Sequence, residues 1–190
     1  MTSYQVNARS RERDRLDQLS TEDASPRLRL AGVVPESDVD GPGYCFVVFA
    51  QGCPHHCPDC HNPQTHPFDG GFVTSVDKLL SVLRKNPLLH GLTLSGGEPF
   101  CQAAAFAALA AGARAIGLHI VTYSGFLFEG LSADSDPARA ALLRNSDWLI
   151  DGPFIAEQKS LMLKFRGSKN QRVIDVAASL EAADAIQIEP

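Results

Sequence analysis

Three cysteines fall within eight residues, Cys53-Pro-His-His-Cys57-Pro-Asp-Cys60, and no fourth stands near enough to complete a compact cluster motif. Thiolates spaced this way are ligands for soft or borderline metals. A cubane of four irons and four sulfides has four iron corners, and electron-carrying ferredoxins close all of them with cysteine. Three thiolates leave one iron open. An open coordination position is what separates a site that takes a substrate from one that holds structure or passes electrons.

Two other metal chemistries use the same residues. A structural zinc site could add His55, His56 or His61 to the three thiols, although zinc knuckles usually come as two ligand pairs separated by a longer loop. A ferredoxin-like carrier needs a fourth thiolate, and the bacterial run spaces its cysteines by two, two and three residues, where this chain has three and then two. Cys45 and Cys101 lie in a strand-like and a helix-like stretch and read as small buried hydrophobes. With five cysteines, an odd count, and an N-terminus that lacks a basic start and apolar run, the chain is expected in the cytoplasm. There a close cysteine cluster binds metal rather than forming disulfides.

The segments around the cysteines alternate between short apolar runs and helical patterns. Tyr44–Ala50 is aromatic and β-branched, too short for a globular helix, and reads as a buried strand that delivers the cysteine loop. Ser75 can cap a helix through Arg84, with Val76, Leu79, Leu80 and Leu83 on one face and Pro87 as its stop. Gly91–Ser95 is a second strand running into Gly96-Gly97-Glu98-Pro99, where Pro99 suits a first helical turn. On its own this glycine turn is a weak signal. The alanine-rich stretch from about Phe100 to Ala115 is a buried helix. Further strands are expected at Leu118–Thr122, Trp148–Ile150 and Ala185–Ile188, with helices near 137–144 and 156–163. Alternation of this kind predicts an α/β fold with a parallel sheet, whose ligands gather at the carboxyl ends of the strands.

Cys-x3-Cys-x2-Cys after the first strand of such a domain resembles the signature of the radical S-adenosylmethionine (SAM) superfamily. The resemblance implies an incomplete (β/α) barrel of the TIM type and one [4Fe-4S] cluster held by Cys53, Cys57 and Cys60. It also implies SAM chelated to the open iron and cleaved reductively to a 5'-deoxyadenosyl radical. By the same likeness Asp59, Cys60 and His61 meet the cofactor, Asp59 through its backbone toward the adenine. Asp59 departs from the aromatic residue common at that position and places a negative charge beside the cluster. Gly96, Gly97 and Glu98 match the turn that receives the amino group of SAM, largely through backbone oxygens.

Asp40-Gly-Pro-Gly43, Cys60-His-Asn-Pro63 and Thr122-Tyr-Ser-Gly-Phe126 look like activating enzymes of glycyl radical enzymes. Trp148-Leu-Ile-Asp-Gly-Pro-Phe154 together with Arg166–Asp175 resembles the family that activates anaerobic ribonucleoside-triphosphate reductase, over about residues 28–176. The likeness implies such a glycyl radical enzyme as partner and a flavodoxin- or ferredoxin-type reductant. Thr122 and Ser124 either hydrogen-bond SAM or are satisfied strand-end hydroxyls, and Asp151 bonds either ribose hydroxyls or a loop amide. Arg166 and Arg172 either hold a carboxylate or anionic partner surface, or pair with Asp151 or Asp175. His55, His56, His66 and His90 read as solvent-side residues, and His119 as lying in or near the sheet. An activase for a pyruvate formate-lyase-type partner, a radical enzyme acting on a small molecule, and a non-catalytic iron-sulfur or zinc module remain as alternatives.

The composition sets the outer bounds. A 190-residue chain with 44% hydrophobic and 21% charged residues is an ordinary globular protein, long enough for one well-buried core. Its formal net charge of -5 gives no reason to expect nucleic acid. The longest apolar stretch, Ala103–Ala113, is far short of the roughly 20 residues a membrane span requires. Residues 1–27 carry five arginines and five acids and read as a solvated, flexible extension ahead of a domain over 28–190.

Overall fold

The computed structural model describes residues 25–190. In chain order its elements are β1 (Arg27–Ser37), β2 (Cys45–Ala50), β3 (Phe72–Ser75), α1 (Val76–Leu83), β4 (Gly91–Gly96), α2 (Ala103–Arg114), β5 (His119–Tyr123), α3 (Phe128–Ser132), α4 (Pro137–Arg144), β6 (Trp148–Asp151), β7 (Arg172–Asp175) and α5 (Val176–Ala182). All seven strands join one sheet in the order β3-β1-β2-β4-β5-β6-β7. The four central strands, β2-β4-β5-β6, are parallel, and β1, β3 and β7 run antiparallel to their neighbours.

The α/β expectation holds, but the purely parallel barrel sheet is corrected to a mixed and open one, with β3 and β7 at its two edges. A short connection explains the first antiparallel pair, and the lack of a crossover helix accompanies the last. A parallel return needs a crossover of a dozen or more residues, and residues 38–44 between β1 and β2 are too few. Between β6 and β7 the helix expected near 156–163 is only a 3-10 turn, Ala156–Gln158, and β7 comes back antiparallel. The strand expected at Ala185–Ile188 does not form as an element. That stretch runs beside β7 through one bridge, Ile174 with Gln187, and the bonds Asp175 N–H to Ile186 O and Ile188 N–H to Val173 O.

The helices cover one face of the sheet. Phe46, Val48 and Ala50 of β2 point into this layer with Leu92, Leu94, Ile120, Leu149 and Ile174, as the two-residue period of a strand dictates. Ser75 caps α1 by accepting from the Lys78 amide, and Val76, Leu79, Leu80 and Leu83 are its buried face, as the sequence predicts. The alanine-rich α2 is buried nearly all round because it lies between α1 and α4. On the opposite face Val121, Ile150 and Val173 form a second apolar cluster against Tyr123, Trp148 and Phe165.

Of the expected extension, residues 1–24 lie outside the described residues. Ser25–Arg27 already belong to the sheet margin: Ser25 Oγ accepts from the Asp77 amide, Pro26 O from the Val76 amide, and Arg27 pairs with Ser75. No helix among the described residues is long and apolar enough to cross a membrane.

Candidate metal centre

At the carboxyl end of β2 the chain leaves the sheet through Gly52, whose φ of +98° suits glycine. A side chain there would strike the Phe68 ring at 2.4 Å. The loop is pinned at its start by Gly52 N–H to Thr65 O (2.7 Å) and Cys53 N–H to His66 O (3.1 Å). It turns tightly at its end, with Cys60 N–H bonded to Cys57 O and the Asn62 amide donating to Cys60 Sγ at 3.4 Å. His56 and Asp59 take left-handed backbone (φ 47° and 53°), which Asp and His adopt more readily than bulky residues. Asp59 itself is exposed.

The neighbouring strand β4 ends in the glycine turn. Gly96 has φ +90°, and a Cβ on it would lie 2.6 Å from Phe49 Cα; a Cβ on Gly97 would lie 2.4 Å from the Gly52 carbonyl oxygen. Gly97 N–H donates to Ala50 O and Glu98 N–H to Gly52 O, each at 2.8 Å. Both glycines therefore allow the β4 turn to lie directly against the root of the cysteine loop.

Cys53, Cys57 and Cys60 line one cavity of about 490 Å³ together with His61, Ser95, Gly96, Gly97 and Ser124. Cys45 and Cys101 do not line it. Cys45 is fully buried, and Cys101, expected to be buried, is partly exposed in a separate cleft. Burial, reinforced by Glu98 and the two other thiols, pushes Cys53 up to about 11, which favours the thiol, and the positive charge of a metal would favour the thiolate. Among the described residues, no three His, Cys, Asp or Glu side chains converge to hold a single ion. The donors suit a polynuclear cluster, in which each thiolate goes to a different iron.

Among the other predicted site residues, Glu98 and Thr122 are fully buried and line nothing. Thr122 Oγ1 is satisfied by Ser146 Oγ at 2.7 Å, and Glu98 receives the Phe100 and Gly125 amides, Ser124 Oγ and His55 Nε2. Asp151 is also fully buried and turned from the cavity: Oδ1 accepts from Arg172 Nε (2.9 Å), Oδ2 from the Phe128 amide (2.8 Å) and from Arg172 Nη2. Of its two readings, the loop amide is the one the geometry realises. Arg172 also grips Glu129 with two bonds of 2.9 Å, which hold that carboxyl down to about 2.

Two residues at the site have roles the sequence left open or assigned otherwise. His55 is not a solvent-side residue, because its ring is 17% exposed, bonded to Glu98 and set edge-on to Phe126 at 4.6 Å. Among the described residues, Arg166 is the only arginine or lysine lining the cavity. Both of its Nη nitrogens bond Glu189, at 2.8 and 3.5 Å, while its buried Nε has no partner among the described residues. Arg166 was legible as a cation near a Gly-Ser turn, whereas nothing adjacent in sequence tied His55 to Glu98.

Three thiols and a glycine turn at the ends of adjacent parallel strands define an α/β cluster-binding domain, and the family described as "4Fe-4S single cluster domain" matches residues 39–174. The anaerobic ribonucleoside-triphosphate reductase-activating protein of Vibrio cholerae is 34% identical over 142 residues, covering 72% of this chain and 91% of that one. Its namesake in Escherichia coli K12 is 31% identical over 147 residues, 73% of this chain and 93% of that one. The pyruvate formate-lyase-activating enzyme of Clostridium pasteurianum is 45% identical over 69 residues, 34% of this chain and 29% of its own. The chain belongs to the family of anaerobic ribonucleoside-triphosphate reductase-activating proteins.

Proposed function

We propose that this chain activates an anaerobic ribonucleoside-triphosphate reductase by generating a glycyl radical on it, through reductive cleavage of SAM at a [4Fe-4S] cluster held by Cys53, Cys57 and Cys60. One observation carries the reading: the three cysteines share a single cavity with the Gly96-Gly97 backbone, and no other thiol lines it. The residues fit the group, since the donors are three thiols, the glycine backbone is free of side chains, and about 490 Å³ is in the range of small-ligand pockets. When bound, the cluster and SAM supply the electron transfer and the radical.

This chain's own residues bind and orient. Cys53, Cys57 and Cys60 would hold the cluster, Gly96 and Gly97 would offer backbone to the amino group of SAM, and Ser124 stands at the same edge, with its hydroxyl already engaged by Glu98. Arg166 offers a cation to the carboxylate of SAM. Leu161, Leu163 and Phe154 also line the cavity, Leu161 being largely exposed, and give it an apolar margin suited to a polypeptide loop bearing the target glycine. The reductant is a flavodoxin- or ferredoxin-type protein.

Anaerobic reconstitution and reduction, with electron paramagnetic resonance before and after SAM, tests the first half. SAM is expected to perturb the cluster signal and to yield 5'-deoxyadenosine and methionine. Mixing with the reductase then tests the second half, and a glycyl radical doublet is expected. An unperturbed cluster with no SAM cleavage would remove the enzyme from consideration, and cleavage without a doublet would redirect the search to another glycyl partner.

A further inference from the structure

We infer that His55 is a positioning residue: its imidazole, seated on the buried Glu98 carboxylate, fastens the cysteine loop to the glycine turn so that SAM held by the turn meets the metal held by the loop. The inference rests on the functional reading above. Its basis is a hydrogen-bond inventory. Among the described residues, the segment from Pro54 to Cys60 makes one contact of this kind beyond itself and its flank, His55 Nε2 with Glu98 Oε2 at 2.9 Å. The cysteine loop is thus anchored at its start by Gly52 and Cys53 and, midway between the first two cysteines, by this single bond.

Glu98 is placed to act as the anchor. A fully buried carboxylate is costly unless its oxygens are satisfied, and its partners come from three segments. Phe100 N–H (3.0 Å) belongs to its own turn, Ser124 Oγ (3.1 Å) and Gly125 N–H (2.9 Å) to the loop after β5, and His55 to the cysteine loop. The same residue follows Gly96 and Gly97 directly, so fixing its side chain fixes the turn.

Gly125 shows that room is kept for this bond. Its φ is outside the left-handed region, so the backbone does not require glycine there. A Cβ at 125, however, would lie 2.4 Å from His55 Cδ2 and 2.6 Å from Nε2. Glycine at this position clears the path along which the imidazole reaches Glu98, and Phe126 closes over the ring from the far side.

Removing the imidazole leaves Glu98 three neutral donors and leaves all three cysteines in place. The fold and the cluster are retained, while the loop and the turn lose their registration. In the reconstituted, reduced protein, His55→Ala is expected to bind SAM about tenfold more weakly, the scale of one hydrogen bond to a charged group. Iron and sulfide content stay at the parent level, and a smaller share of the cluster signal shifts on adding SAM. His55→Gln, whose amide N–H has the same reach, restores affinity to within about twofold of the parent by that one bond. Gly125→Ala, which keeps the amide that Glu98 accepts and adds only a methyl in the path of the imidazole, reproduces the His55→Ala loss and adds nothing further in the double variant.

Equal SAM affinity in the parent and His55→Ala would overturn the inference. So would a His55→Gln variant as weak as His55→Ala, or one that loses its cluster. A parent protein that binds no SAM would overturn the functional reading itself, and the inference with it.

Discussion

Gly97 lies directly on Gly52: a Cβ on Gly97 would stand 2.4 Å from the Gly52 carbonyl oxygen, the same oxygen that accepts the Glu98 amide at 2.8 Å. The obstacle is backbone, which cannot swing aside as a flexible side chain can. Gly97→Ala must therefore part the glycine turn from the root of the cysteine loop. Overpacking of this kind costs about 1–3 kcal/mol, and in a domain of this size each kcal/mol lowers Tm by about 2–4 °C. Thermal melts of the metal-free protein and SAM affinity of the reconstituted one should both fall. Parent-like values in both would mean the turn has slack that the geometry does not show.

The five cysteines divide into two classes. Cys53, Cys57 and Cys60 line the cavity, while Cys45 is sealed in the sheet with its thiol near Pro42 O, and Cys101 opens onto a separate cleft. Replacing any of the first three by Ala should abolish cluster-dependent SAM cleavage, and iron analysis should show a lost or unstable cluster. Cys45→Ala and Cys101→Ala should keep the parent iron content. Loss of iron in either would reveal a fourth thiolate.

The readable parts of this fold were those set by local pattern. β2, β4, β5 and β6 announce themselves as short apolar runs, and α1 by its cap and four-residue stripe. β1 is hidden because Gly32 and Pro35 interrupt it, and the structure absorbs them as irregularities in its pairing with β2. β3 is only four residues long, with Phe72 and Val73 exposed, so no buried alternation marks it. At the site, the cysteines and the glycine turn are contiguous motifs and can be read directly. The His55–Glu98 and Asp151–Arg172 bonds join residues 43 and 21 positions apart, and only the sheet order brings them together.

Asp151 is bonded within the fold on both carboxylate oxygens. Its fully buried carboxylate neutralises Arg172 and caps the Phe128 amide, joining β6, β7 and the start of α3. Asp151→Ala leaves the Arg172 guanidinium with Glu129 alone, and breaking a buried pair on one side costs roughly 3 kcal/mol. Chemical denaturation should show a loss of that order. SAM affinity measured well below the denaturation midpoint should match the parent, and a selective loss of SAM affinity without loss of stability would return Asp151 to the ribose.

Arg166 carries the complementary prediction. It lines the cavity, its Nη nitrogens reach the exposed Glu189 at 2.8 and 3.5 Å, and its buried Nε has no partner among the described residues. Arg166→Ala should weaken SAM binding by about tenfold, the scale of a charge-assisted hydrogen bond, with little change in Tm because Glu189 is 82% exposed. Arg166→Lys keeps the charge but not the fork, and should recover only part of the loss. The check is SAM titration of all three proteins at one salt concentration. Parent-like affinity in Arg166→Ala would assign the arginine to the C-terminal segment alone.

Leu161 and Met162 stand 91% exposed, side by side, on the segment that also sends Leu163 and Phe165 into the cavity wall. Exposing two adjacent large apolar side chains at the rim of a site is unfavourable unless another surface covers them. A protein substrate is the cover that the proposed function requires, because its glycine must reach the cavity past this rim. Met162 is not part of the cavity lining, so Met162→Asp separates docking from chemistry. SAM cleavage without the reductase should be unchanged. The glycyl radical yield should drop about tenfold at limiting reductase and recover as reductase concentration rises, the signature of weakened association at an interface anchor. A yield that stays low at saturating reductase would place Met162 in radical transfer instead, and an unchanged yield would move the docking face elsewhere on the molecule.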